Sequence, residues 1–329
     1  MRKDLSVYVA GHTGLLGSAV MKRLIHDDWA SVITRTHKEL DLTRQAAVEE
    51  FFKRAQPEYV FLCAGLTGGI GANRGFPASF LHANLAIQDN VFEASVKHGV
   101  QGLVFYASSC VYPKGCAQPM RESEILTGAV EETSEAYAVA KLAGLKGCRA
   151  YNKQYGGNRF IALLPNSMYG PHDNFDTESS HVLAALMRKI HDAKAQRSSA
   201  VRLWGSGNPL REFVYSEDVA AASVFALENA WRLENESYNV GSGHEASIKE
   251  LAAKVAAVVG YKGEIEWDTH KPDGAPRKLL DCARFNALGW RPSVSLEEGI
   301  KRTYDWFLAI HGRKEGECLQ KKQRQPARS

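Results

Sequence analysis

The sequence predicts an α/β fold, a doubly wound parallel sheet with a smaller α/β lobe, on three observations. Continuous apolar runs alternate with helix-period stretches through the first half of the chain. A glycine-rich turn joins the first such run to the first helix, and past Leu164 the pattern loosens into shorter strands and helices. Strands apolar on both faces belong to parallel sheets covered by helices on each side. Such sheets take ligands beyond the carboxyl ends of their strands.

The elements follow in order. Residues 5–10 form a short apolar run, and 18–26 read as an amphipathic helix. Residues 31–36, rich in β-branched side chains, predict the second strand, and 46–54 the second helix. Strands at 59–64, 103–107 and 160–164 alternate with helices at 78–98 and 135–155. Residues 165–174, rich in Pro, Gly, Asn and Asp, predict a loop. Helices at 181–194, 216–230, 247–259 and 296–310 then alternate with short strands at 201–204, 212–215 and 265–268. The expected division gives 1–165, completed by 212–242, to the larger domain, and 166–211 with 243–312 to the smaller lobe.

Composition excludes several classes. With 329 residues, 44% hydrophobic and 24% charged, the chain is globular rather than disordered or fibrous. No apolar run approaches the ~20 residues of a membrane span, and the first residues carry no signal-peptide pattern, so a cytoplasmic protein is expected. The net charge of +4 is local: residues 313–329 hold six basic and two acidic side chains, which accounts for all of it. That basic segment reads as an unstructured tail, with a polyanion-binding arm as the alternative. The six cysteines (63, 110, 116, 148, 282 and 318) show no C-x-x-C pair and no metal-ligand spacing. Free thiols and no metal site are expected.

Two motifs carry chemistry. Gly11-His12-Thr13-Gly14-Leu15-Leu16-Gly17 sits between the first strand and the first helix. Glycines there allow a tight turn and a close backbone approach to a pyrophosphate at the helix N-terminus, which predicts a Rossmann-type dinucleotide site. An acid at the end of the second strand would favour a ribose 2′-hydroxyl. The chain instead offers Arg35, His37 and Lys38, which favours the 2′-phosphate of NADP. A solvated basic turn is the competing reading. The second motif pairs Ser108 at a strand end with Tyr137 and Lys141, which share a helix face at i and i+4. A lysine beside a tyrosine is expected to lower the phenol pKa, making it a usable proton donor, while the serine binds the same oxygen.

With these residues the chain resembles the extended short-chain dehydrogenase/reductases that act on nucleotide sugars. Within them it is similar to the GDP-L-fucose synthase family of GDP-4-keto-6-deoxymannose 3,5-epimerase/4-reductases. The resembling segments include Gly69-Ile70-Gly71-Ala72-Asn73, Ser108-Ser109-Cys110-Val111-Tyr112-Pro113, Tyr169-Gly170-Pro171-His172-Asp173-Asn174-Phe175, Trp204-Gly205-Ser206-Gly207 and Lys271-Pro272-Asp273-Gly274. The resemblance implies an NADP(H)-dependent enzyme on a GDP-sugar, with Ser108, Cys110, Tyr137, Lys141 and His181 catalytic. Cys110 and His181 would be the two groups that remove and return protons on opposite faces of the sugar. Cofactor contacts are implied along the glycine turn, at Arg35, His37, Lys38, Asp41, Leu42 and Ala64, and at Lys141, Pro165, Ser167, Met168 and His181. Substrate contacts are implied at Ser109, Lys189, Trp204, Arg211 and Lys278. No nucleic acid or membrane partner is implied, and the relatives suggest a homodimer built on helices 78–98 and 135–155.

Four positions depart from the family pattern. Thr13 and His37 stand where the family has arginines, Gly65-Leu66-Thr67-Gly68-Gly69 replaces Ala-Lys-Val-Gly-Gly, and Pro165-Asn166-Ser167 replaces Pro-Thr-Asn. These changes bear on cofactor preference and on the sugar accepted. The alternative is a sister enzyme on a related GDP-4-keto sugar, such as a 6-deoxyheptose.

Overall fold

The computed structural model describes residues 3–323 except 177–178 and 272, with side chains to residue 310. β1 (Ser6–Ala10) leads through the glycine turn into α1 (Leu15–His26), followed by β2 (Ser31–Ile33), α2 (Gln45–Ala55) and β3 (Tyr59–Leu62). α3 (Ile70–Gly75) and α4 (Pro77–Lys97) precede β4 (Gly102–Tyr106), and α5 (Glu135–Tyr155) precedes β5 (Phe160–Pro165). Then come β6 (Ser167–Tyr169), α6 (Val182–Ala195), β7 (Ala200–Trp204), β8 (Leu210–Tyr215), α7 (Ser216–Glu228) and β9 (Ser237–Val240). β10 (Glu245–Ser247), α8 (Ile248–Val259), β11 (Glu264–Asp268), β12 (Arg277–Lys278), α9 (Ala283–Ala287) and α10 (Leu296–Gln323) complete the chain.

Six strands form one parallel sheet in the order β2-β1-β3-β4-β5-β9. The connection from β2 returns across β1 to β3, so the strand order reverses between β1 and β3. That reversal, beyond the carboxyl ends of the strands, is where doubly wound sheets bind ligands. One face of the sheet buries Phe52 of α2, Phe92 of α4 and Leu145 of α5. The other buries Leu24 of α1, Val219 of α7 and Phe285 of α9. α5 lies close on β4 because Gly144 has no side chain; a Cβ there would strike the Phe105 ring.

The smaller lobe has its own core, in which Met187 of α6, Val255 of α8 and Phe307 of α10 close on Leu203 and Phe213. Its strands pair as β10-β8-β12, with β6 joining β8 and β11 alongside β7. α8 starts with a reciprocal cap: Ser247 Oγ accepts from Glu250 N–H at 3.1 Å, while Glu250 Oε2 accepts from Ser247 N–H at 2.7 Å.

Three expectations are corrected. The strand expected over 31–36 stops at Ile33, because Thr36 turns to donate to Glu39 Oε2 through both its N–H and its hydroxyl, each at 2.7 Å. The loop expected over 165–174 contains β6, whose residues 167–169 pair with β8. The tail expected to be unstructured from Arg313 continues α10 to Gln323, where Glu, Leu, Gln and Lys are all good helix formers. Residues 324–329 lie outside the described residues. Among the described residues no helix is long and apolar enough to cross a membrane.

Candidate active site

The glycine turn comes first along the chain. Gly11 has φ +79°, and a Cβ there would stand 2.7 Å from Ala64 N; one at Gly17 would strike the Gly11 carbonyl oxygen. Both contacts are with backbone, which cannot step aside. The turn therefore seats α1 against the ends of β1 and β3. Gly14 is the N-cap of α1 and supplies no capping side chain, so the first N–H groups of the helix are not taken up by a side-chain cap. His12 Nδ1 is buried without a partner beside them. At the end of β2, Arg35, His37 and Lys38 are exposed, and Arg35 stacks on Phe51 with its Cζ 5.5 Å from the ring centre. Glu39, the acid nearest these cations in sequence, is occupied by Thr36. A cradle that no Cβ can share, uncapped helix N–H groups and a basic strand end fit a dinucleotide bearing a 2′-phosphate. Leu16, Leu42 and Pro165 have buried side chains, so cofactor contacts there fall to their backbone.

The residues expected to transfer protons lie around the end of β4. Ser108 caps the one-turn 3₁₀ helix Ser109–Val111, its Oγ accepting from Cys110 N–H at 3.4 Å. Lys141 is 6% exposed and donates to Tyr106 O at 3.0 Å, with its Nζ 4.9 Å from the Phe105 ring centre and 5.8 Å from that of Tyr137. Burial pushes its pKa down to about 8. The lowered phenol expected for Tyr137 is not observed: burial, reinforced by the Cys110 thiol, holds it well above the usual tyrosine range. Desolvation outweighs a lysine whose ammonium is turned to a backbone carbonyl. Tyr137 is therefore a neutral proton donor across the working range, which suits protonating an alkoxide.

Cys110 is also pushed up by burial, against the opposing pull of Ser108, Lys278 and Lys141. His181 is the N-cap of α6, and desolvation of its imidazole holds it below the ordinary value. Both groups are thus neutral near pH 7. The segment leading to His181 is anchored by Gly69, whose N–H donates to Ser179 O at 3.1 Å.

The remaining substrate candidates form two groups. Lys189 places its ammonium 4.9 Å from the Trp204 ring centre, and Trp204 is 67% exposed. Arg211 and Lys278 are register partners across β8 and β12. Lys278 also lines a cavity of about 190 Å³ with Ser109 and Cys110, which joins the cation strand to the proton-transfer residues.

The structure adds four residues that sequence reading did not single out. Lys271 lies on Trp204 as well, at 5.5 Å. Asp273 accepts from Ser206 N–H at 2.8 Å and from its hydroxyl at 2.6 Å, and is electrostatically coupled to Arg211. Asn84, 2% exposed, donates to Leu66 O at 3.0 Å and Phe80 O at 2.7 Å, leaving its Oδ1 unpartnered beside Gly65 near Lys141. Asp173 has its carboxyl pushed up to about 7 by burial. Asp173, Lys271 and Asp273 lie within segments that carry the family resemblance; a lone Asn inside a helix gives no signal in the sequence. Among the described residues no group of three His, Cys, Asp or Glu side chains is placed to hold a metal ion.

Residues 7–241 match the model of the NAD dependent epimerase/dehydratase family. The chain belongs to that family. Within it, the chain is 49% identical over 306 residues to GDP-L-fucose synthase 1 of Arabidopsis thaliana, covering 93% of this chain and 94% of the relative. A GDP-L-fucose synthetase from Naegleria fowleri bound to NADP superposes with a TM-score of 0.85 at 28% identity, over 95% of this chain and 96% of that one. A GDP-6-OMe-4-keto-L-xylo-heptose reductase from C. jejuni superposes with a TM-score of 0.87 at 34% identity, over 94% and 99%. Epimerase/dehydratase membership accords with the parallel sheet, the glycine turn and the Ser108, Tyr137 and Lys141 set.

Proposed function

We propose that the protein is an NADPH-dependent 3,5-epimerase/4-reductase that converts GDP-4-keto-6-deoxy-D-mannose to GDP-L-fucose. The observation that carries this reading is the cavity shared by Cys110 and Lys278. A thiol suited to proton transfer beside a ketone opens there onto β12, which pairs with the strand that bears Arg211. The similarity to GDP-L-fucose synthases over nearly the whole chain supports it.

In this reading the larger domain holds the cofactor and the smaller lobe the GDP-sugar. Arg211 meets the diphosphate, while Trp204, with Lys189 behind it, covers the base. Cys110 and His181 flank the sugar ring. One takes the proton from the carbon next to the ketone, leaving an enolate, and the other returns a proton to the opposite face. NADPH supplies the hydride for C4. Ser108 hydrogen-bonds the C4 oxygen, and the neutral Tyr137 phenol delivers its proton to the developing alkoxide. Lys141 orients the nicotinamide ribose below Tyr137. The reading extends to a cytoplasmic homodimer: the five described cysteines are free thiols. Val139 and Tyr155 of α5, which packs on α4, stay exposed and apolar.

The test is incubation with the GDP-4-keto sugar and NADPH in deuterated water. Deuterium at both C3 and C5 of the product, together with NADPH consumption, is expected. Reduction without exchange removes the epimerase half. Tyr137→Phe is expected to slow hydride transfer about 100-fold or more with NADPH affinity unchanged. A variant within a factor of three of wild type would overturn the acid assignment. A second reading, reduction of a GDP-4-keto-heptose, is favoured by the similarity to the heptose reductase and by Leu66 where the family has a lysine. Parallel turnover of hexose and heptose substrates distinguishes the two.

A further inference from the structure

The environment of Cys110 is asymmetric in charge. Lys141, from α5, spends its ammonium on the Tyr106 carbonyl. Tyr137, also from α5, is neutral. The turn after the 3₁₀ helix brings Lys114 and the Cys116 thiol to the same cavity. Glu131 is the carboxylate there, and Lys114 Nζ lies 3.4 Å from its Oε1. Arg277 of β12 also lines the cavity and is paired with Glu245 at 2.7 Å, which leaves Lys278 of the same strand. Its ammonium has neither a hydrogen bond nor an ion pair among the described residues, although most of the side chain is shielded from solvent. Its register partner Arg211 lies by the Gly274 backbone, where a Cβ would stand 3.0 Å from Arg211 Nη2, and couples to Asp273. The two cations on neighbouring strands repel each other, and Asp273 offsets the charge of Arg211.

We propose that Lys278 is a positioning residue whose ammonium favours ionisation of the otherwise neutral Cys110 thiol for proton transfer at the sugar, rather than a diphosphate ligand. A largely desolvated ammonium is costly; the carboxylate within its electrostatic reach is Glu131, which Lys114 also engages, and ionisation of the Cys110 thiol supplies a further anion to offset it. The same charge makes the thiolate accessible in a pocket whose burial otherwise disfavours it. The proton leaves Cys110 for solvent, Lys278 stays protonated throughout, and the thiolate then accepts the carbon-bound proton. The role rests on the epimerase reading of Cys110, but its test does not.

The experiment is iodoacetamide alkylation of Cys110 as a function of pH, read by peptide mass spectrometry in a Cys116→Ser background that removes the neighbouring thiol. Lys278→Met is expected to raise the alkylation midpoint by about one pH unit, slowing modification about tenfold below it. Lys278→Arg is expected to restore most of that loss. Lys278→Gln serves the same reading if the methionine variant does not fold. In turnover, Lys278→Met is expected to lose solvent deuterium incorporation about tenfold while the KM for GDP-sugar changes less than threefold. An unchanged alkylation midpoint with a raised KM would overturn the proposal and return Lys278 to the diphosphate. If no GDP-4-keto sugar is turned over, the proposed function fails while the alkylation midpoint still decides the role of Lys278.

Discussion

The two halves of the proposed site are built from different materials. On the cofactor side, backbone makes the site: Gly11 and Gly17 let β1, α1 and Ala64 close to van der Waals contact, and Gly14 leaves the helix end free of a side-chain cap. On the substrate side, side chains make it. Lys189, Trp204, Arg211, Asp273 and Lys278 arrive from α6, β7, β8, a loop and β12. A backbone site is written in one short stretch of chain and fails as a unit. A side-chain site is scattered, and its members fail one at a time.

The sharpest way to break that contrast is Gly17→Ala. The new methyl meets the backbone of Gly11 and His12 and has no rotamer to escape through. NADPH affinity should fall by about 1,000-fold or more as the turn is forced open. Calorimetric titration checks it, and affinity within tenfold of wild type would show that the cradle tolerates a side chain.

The contrast also explains what the sequence could reveal. The parallel sheet was legible because β3, β4 and β5 are apolar on both faces, and the glycine turn because its members are contiguous. β6 was hidden in a loop-like composition, since a three-residue strand is set by its partner β8 rather than by propensity. In the site, Ser108, Tyr137 and Lys141 were readable from residue type and helical spacing. Arg211 and Lys278 became candidates only through resemblance, because their adjacency depends on strand register. The raised phenol of Tyr137 was misread because no spacing rule conveys how deeply a side chain is buried.

Lys141 sharpens the comparison where the two halves meet. Its folded pKa of about 8 lies below the ordinary 10.5, so between those values the unfolded chain binds more protons than the folded one. Stability must therefore rise as pH climbs from about 8 to 10.5, by about 3 kcal/mol from this group. Denaturant unfolding across that window should show the rise in wild type and lose it in Lys141→Met. An equal slope in both proteins would mean that another group titrates there.

Arg211→Ala probes the scattered half. Losing one charge-assisted contact to a diphosphate is worth about 2 kcal/mol, so the KM for the GDP-sugar should rise about 30-fold. NADPH affinity and deuterium exchange at saturating sugar should stay near wild type. A matching drop in NADPH affinity would mean the two halves are not separable.

The smallest effect is expected at Arg35, where the cofactor half relies on an exposed side chain. Its guanidinium is exposed and steadied by the Phe51 ring. Solvent screening limits such a charge to about 1 kcal/mol, so Arg35→Ala should raise the KM for NADPH about fivefold and leave that for NADH unchanged. The difference should shrink as salt approaches 0.5 M, where the Debye length falls to about 4 Å. The glycine turn, which involves no formal charge, should show no such salt dependence. An Arg35→Ala effect that is equal for both cofactors would place the arginine outside the 2′-phosphate site and leave NADP preference to His37 and Lys38.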